Sequence, residues 1–115
     1  MPYIEGFVTP VPAKNRAAYE KVAKEAVVLF KRLGATRVVE CWGDDVRAGE
    51  TTDFARAVKA QPDEVVVFSW VEYPSKEVRD AANEQMKYDA ASMGEAMPFD
   101  AKRMIFGGFS VIVDD

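Results

Sequence analysis

The run from Glu64 to Tyr73 constrains the fold more than any other stretch of this chain. Read as an extended strand, it places Val65, Val67, Ser69 and Val71 on one side and Val66, Phe68 and Trp70 on the other. A strand that is apolar on both sides needs cover on both. Two further stretches have the same character. In Tyr3 to Val11, Ile4 and Val8 oppose Tyr3, Phe7 and Val11, and the prolines at 10 and 12 close the run. In Met104 to Val113, Ile105, Phe109, Val111 and Val113 oppose Met104, Phe106 and Ile112. Thr36 to Gly43, rich in β-branched residues, supplies a fourth strand.

Between these strands the period changes. Tyr19, Val22, Ala26, Phe30 and Leu33 recur at helical steps, so Ala13 to Leu33 reads as a long amphipathic helix. The basic pair Lys31-Arg32 followed by Gly34 is its stop signal. Ser75 caps a second helix from Lys76 to Asp89, with Glu77 in its first turn and a weaker stripe through Val78, Ala82 and Met86. Phe54 to Val58 forms a short helical turn in an otherwise irregular region. Ala90 to Met97 is a connection, and Pro98-Phe99-Asp100 a turn.

Strand, helix, strand, strand, helix, strand is the split βαβ pattern. It predicts a single α+β domain over residues 1–115 with ferredoxin-like topology. The expected sheet is antiparallel, four-stranded and ordered 4-1-3-2, with two helices on one face. The helices then leave the other face bare, and the aromatics Tyr3, Phe7, Trp42, Phe68, Trp70 and Phe106 are assigned to it. Removing even about 600 Å² of such surface from water is worth of order 15 kcal/mol before association costs. A homodimer joined through that face is therefore the expected partner arrangement.

Charge and cysteine usage narrow the function classes. Fifteen Lys+Arg against nineteen Asp+Glu give a net charge of −4, interleaved along the chain. That pattern offers no cationic footprint for nucleic acid or anionic lipid. The longest apolar stretch, Val65 to Val71, falls well short of the roughly 20 residues of a membrane span. With one cysteine, Cys41, and no basic leader, the expected location is the cytoplasm, with no membrane partner. Cys41, beside Trp42, reads as a small buried hydrophobe.

Several segments together resemble one family. They are Gly6-Phe7-Val8 with Pro10-Val11-Pro12, Val39-Glu40-Cys41 with Gly43-Asp44-Asp45-Val46, and Arg56-Ala57-Val58-Lys59-Ala60. Val67-Phe68-Ser69-Trp70 and Arg79-Asp80-Ala81-Ala82-Asn83 follow. Met97-Pro98-Phe99-Asp100, Lys102-Arg103-Met104-Ile105 and Gly107-Gly108-Phe109 complete the set. Across essentially the whole chain this resembles the YbaA-like bacterial proteins of unknown function. The resemblance implies membership of the dimeric α/β-barrel superfamily, in which two ferredoxin-like protomers join their sheets. It implies no catalytic residues. Ala101 and Phe106 depart from the commoner Gly and Tyr of that pattern.

The chain has no histidine, which removes the commonest general base and metal ligand. No cofactor is expected, and no metal: Asp44-Asp45 with Glu50 or Asp53 fits no recognised cation loop and reads as turn chemistry. The candidate pocket residues are Glu5, Glu40, Trp42, Trp70, Arg56 and Arg103. Glu5 and Glu40 interrupt apolar strands, so each is either paired with a cation such as Arg56, Lys59 or Arg103, or available for acid–base or ligand chemistry. Of the two, Glu5 on the central strand is expected to be the functional one, with a site spanning both acids passing through Trp70. Arg56 with Lys59, and Lys102 with Arg103, are candidate anion contacts. The sequence reading is a homodimeric small-molecule binding protein whose enzyme status stays open. The alternative is a cofactor-independent, monooxygenase-like oxidoreductase acting on a small aromatic substrate.

Overall fold

In the computed structural model, residues 1–93 and 97–115 are described, with side chains for 1–86 and 97–115. The elements in chain order are β1 (Tyr3–Pro12), α1 (Arg16–Arg32), β2 (Arg37–Trp42), α2 (Phe54–Ala57), β3 (Glu64–Tyr73), α3 (Lys76–Met93) and β4 (Ile105–Ser110). The four strands form one antiparallel sheet in the order β2-β3-β1-β4, so the two longest strands are central. None of the described helices is long and apolar enough to cross a membrane.

The elements begin and end for identifiable reasons. A 3-10 turn over Ala13–Asn15 precedes α1, and the Ala13 amide donates to the Asp63 carbonyl (2.9 Å), tying the helix start to the approach of β3. At the other end Gly34 takes φ 112°. The Gly34 amide reaches the Lys31 carbonyl and the Ala35 amide the Phe30 carbonyl, which closes the last turn. The Ser75 hydroxyl accepts from the Val78 amide (3.3 Å), as expected of a cap. α3 continues to Met93, beyond the expected end at Asp89, while β4 stops at Ser110 and leaves Val111 to Val113 outside the strand.

Both long helices pack on the same face. Val71, Tyr73, Val38 and Phe7 from the sheet meet Phe30 and Leu33 of α1 and Val78, Ala82 and Met86 of α3. A second cluster joins Val11, Val67 and Trp42 to Tyr19 and Ala23 of α1, with Phe99 closing it. The register corrects the assignment of aromatics to the bare face. Tyr3 lies opposite Tyr73, Phe7 opposite Ser69 and Phe106, and Trp42 opposite Val67. Cross-strand partners share a face, so Tyr3, Phe7, Trp42 and Phe106 all belong to the helix side. The uncovered face carries Phe68, Trp70, Ile4, Val8, Ile105 and Phe109 instead. Cys41, opposite Phe68 on the edge strand, is on that uncovered face and exposed, not buried as expected.

The chain between β3 and its flanking loops is held by one arginine. Arg103 makes two 2.7 Å contacts to the Glu64 carboxylate, a third to Asp100 (2.9 Å), and donates to the Lys59 carbonyl (2.9 Å). Lys59 has φ 51°, a left-handed conformation unusual for a side-chain-bearing residue, and this contact fixes it. Hydrogen bonds from Arg103, the largest influence, hold the Glu64 carboxyl below the usual range. A depressed folded value stabilises the fold above the ordinary carboxylate range and is lost as pH falls through it. Glu64→Gln should therefore lower the thermal midpoint at pH 7, and the gap to wild type should close as pH is lowered from about 5 to 3. Melting curves across that window check it.

Candidate functional site

The two strand acids face the helices, but Glu5 is buried and Glu40 is exposed at the sheet edge. Glu5, 2% exposed, lies opposite Val71 on β3 and Gly108 on β4. Its carboxylate takes an ion pair from Nε of Arg79 on α3, and Arg79 also reaches Asp80 (2.9 Å) and sits over the Tyr3 ring at 5.2 Å. Gly108 makes the arrangement possible, because a Cβ there would collide with the Tyr3 hydroxyl and the Arg79 guanidinium. Nearby, the fully buried Tyr73 hydroxyl has no hydrogen-bond partner among the described residues. Burial and then the Glu5 charge push it up to about 12. The partner of Glu5 is thus a helix arginine, not Arg56, Lys59 or Arg103.

Glu40, opposite Ser69 on the edge strand, has no ion pair among the described residues. The Tyr19 hydroxyl of α1 donates to it at 2.7 Å, and Ser69 is its cross-strand neighbour on the same face. Burial raises the Glu40 carboxyl above its ordinary value, and the Tyr19 and Ser69 hydrogen bonds only partly offset this. Burial, then the bond and charge of Glu40, raise the Tyr19 phenol strongly. No general base of ordinary acidity is present in the pair: the carboxylate is the group that can take a proton.

Two spaces meet at this pair. Outside it, between α1 and β2, a cleft of about 400 Å³ is lined by Arg16, Glu20, Lys24, Glu40, Cys41 and Trp42 among others. Arg16 lies over the Trp42 ring at 5.2 Å and is bound to Glu20 at 3.1 Å. Inside it, between α1 and the sheet, a cavity of about 180 Å³ is lined by Phe7, Phe30, Val71, Phe99 and Met104, with Thr9 and Ser69 as its buried hydroxyls. Tyr19, Ala23 and Glu40 border both spaces. Asn15 donates to the Pro98 carbonyl (2.9 Å), which pins the segment carrying Phe99 so that its ring meets Tyr19 edge-on at 5.6 Å.

Of the six expected pocket residues, Glu40 and Trp42 come together in this cleft. Glu5 shares their face but lies two strands away, already neutralised. Trp70 faces the opposite side, where its ring nitrogen donates to Glu72 (3.0 Å), so the residues between the acids are Ser69 and Val71. Arg56 holds its own loop, donating to Asp53 (3.0 Å) and the Thr51 carbonyl (3.2 Å), and Arg103 forms the clasp already described. Asp53 is occupied in capping α2. Glu5, expected to be the functional acid of the two, is the one paired with an arginine, and Glu40 is the one that borders the cleft. Tyr19, Ser69 and Arg79 complete these sites without having been singled out. Their signals were present: a tyrosine on the inward stripe of α1, a serine inside a valine run, and an arginine one helical step from Ala82.

Removing one member of the Glu5–Arg79 pair leaves the other charge buried, so Glu5→Leu and Arg79→Met should each cost about 3–5 kcal/mol. Glu5→Leu combined with Arg79→Met should cost clearly less than the sum of the single changes. Urea unfolding of the four proteins measures this, and additive losses would contradict a coupled structural pair.

Comparison with known proteins agrees with the absence of an assigned chemistry. The family described as "Protein of unknown function (DUF1428)" matches residues 2–101. The uncharacterised protein YbaA of Escherichia coli K12 is 57% identical over 117 residues, spanning 100% of both chains. YbaA of E. coli O157:H7 and of Shigella flexneri match with the same identity and coverage. The chain belongs to the DUF1428 family of YbaA-like proteins.

Proposed function

We propose that the protein is a homodimeric small-molecule binding protein whose ligand site lies between α1 and the β2–β3 half of the sheet. The observation that carries the ligand reading is Glu40, a partly desolvated carboxylate on an exposed edge-strand residue, at the shared wall of a cleft and a cavity, bonded by the Tyr19 hydroxyl and paired with no cation among the described residues. Its carboxylate is drawn against Tyr19 in the cleft wall, so a ligand can reach an acid that no cation pairs with among the described residues. The same group makes Glu40 the base in the second reading, an enzyme that ionises a small aromatic substrate before cofactor-independent oxidation.

The dimer reading rests on the uncovered sheet face. Gly6 lies opposite Trp70 and Gly107, so the middle of that face is a shallow apolar recess of about 570 Å³ bordered by Ile4, Val8, Phe68, Trp70, Ile105 and Phe109. Phe68, Ile105 and Phe109 are 46%, 45% and 60% exposed in one protomer. A second copy presenting the same face covers them self-complementarily, as in a dimeric α/β barrel made of two ferredoxin-like halves.

Size-exclusion chromatography with light scattering at micromolar concentration should report a dimer, and Trp70→Asp a monomer. A monomeric wild type contradicts the assembly. Native mass spectrometry of protein purified from its own host should find a retained small molecule in wild type and none in Glu40→Gln. Because the raised Glu40 value stabilises only the protonated form, its ionised form opposes folding as pH rises through the folded pKa. Glu40→Gln should therefore melt at or above wild type at pH 7, with the difference shrinking toward pH 4. Equal ligand retention in the two proteins would remove Glu40 from the site.

A further inference from the structure

The geometry points to a small apolar primary amine as the ligand, its ammonium at Glu40 and its hydrocarbon tail in the cavity behind Tyr19. This rests on the ligand site proposed above and adds its chemistry. The inner cavity is built for hydrocarbon: Phe7, Phe30, Val71, Phe99 and Met104 line it. An apolar cavity of about 150 Å³ holds benzene, so the 180 Å³ here takes one ring or a short branched chain. Tyr19 and Glu40 stand where that space opens to the outer cleft. A ligand with its tail inside thus brings its head to the carboxylate.

The charges around the head select its sign. A carboxylate offers about four acceptor positions, and the Tyr19 and Ser69 hydroxyls take part of that capacity. Arg16 is engaged by Glu20 and Trp42, and Lys24 is exposed at the cleft rim. The charge that borders both the cleft and the cavity is that of Glu40. A carboxylate head would place two negative charges together, and an alcohol would donate one bond without cancelling the charge. An ammonium supplies three donors and the opposite sign.

Three probes of nearly one shape separate these heads: 2-phenylethylamine, 2-phenylethanol and 3-phenylpropionate, titrated calorimetrically into the intact protein. The amine should bind at least tenfold more tightly than the other two. Glu40→Gln should erase that advantage and leave the alcohol unchanged, and Ala26→Leu, which fills the inner cavity, should weaken the amine and alcohol alike. Equal affinity of alcohol or acid, or amine binding indifferent to Glu40→Gln, overturns the amine inference while leaving the pocket in place. Failure of all three probes to bind overturns the pocket as well.

Discussion

One register fixes both working surfaces of this sheet. Gly6 is held opposite Trp70 on one side and Gly107 on the other, with the Phe109 ring 3.3 Å from where a Gly6 Cβ would stand. That alignment empties the middle of the uncovered face of side chains and lets aromatics rim it. Because side chains alternate, the same alignment sends Glu5, Phe7 and Thr9 toward the helices. A slip of one residue would turn Glu5 outward and put Gly6 in the core, so the two faces cannot be adjusted independently. The helix-side chemistry and the apolar outer face are consequences of one pairing.

Within that frame the two strand acids divide the roles. Glu5 is on a central strand, deep enough that only a buried arginine makes it tolerable, and the Tyr3 ring and Gly108 hold that arginine in place. Such a pair secures the position of α3 on the sheet more than it adds net stability. Glu40 is on an edge strand, where the cleft beside α1 reaches its carboxylate. The Tyr19 hydroxyl bonds its carboxylate and no cation pairs with it among the described residues, whereas Glu5 is paired with Arg79.

Much of the fold was legible because periodicity reports local geometry. β3 begins and ends where its composition says, Gly34 and Ser75 mark helix ends, and the inward stripe of α1 includes Tyr19 as read. What the period could not give was how the strands match. Each strand was correctly split into two sides, but Tyr3, Phe7, Trp42 and Phe106 were joined to the side of Phe68 and Trp70, because alternation carries no information about register between strands distant in sequence. The same gap hid the partners of the acids. Arg79 and Tyr19 meet Glu5 and Glu40 across 74 and 21 residues of chain, contacts that exist only once the helices are docked.

The cavity behind Tyr19 follows from a run of individually modest choices. α1 presents Ala23 and Ala26 toward the sheet where leucines would close the gap, and the sheet answers with Thr9 and Ser69 where valines would pack. Elsewhere the core is filled, with Val11, Val58 and Tyr73 packed to 1% exposure or less. Small residues also enter the packed core, as Ala35 and Ala82 do, but at Ala23 and Ala26 the space they leave is bordered by a carboxylate and two hydroxyls. Space and acceptors thus coincide at the mouth of a single apolar chamber, which is the arrangement a ligand site requires and a filled core does not.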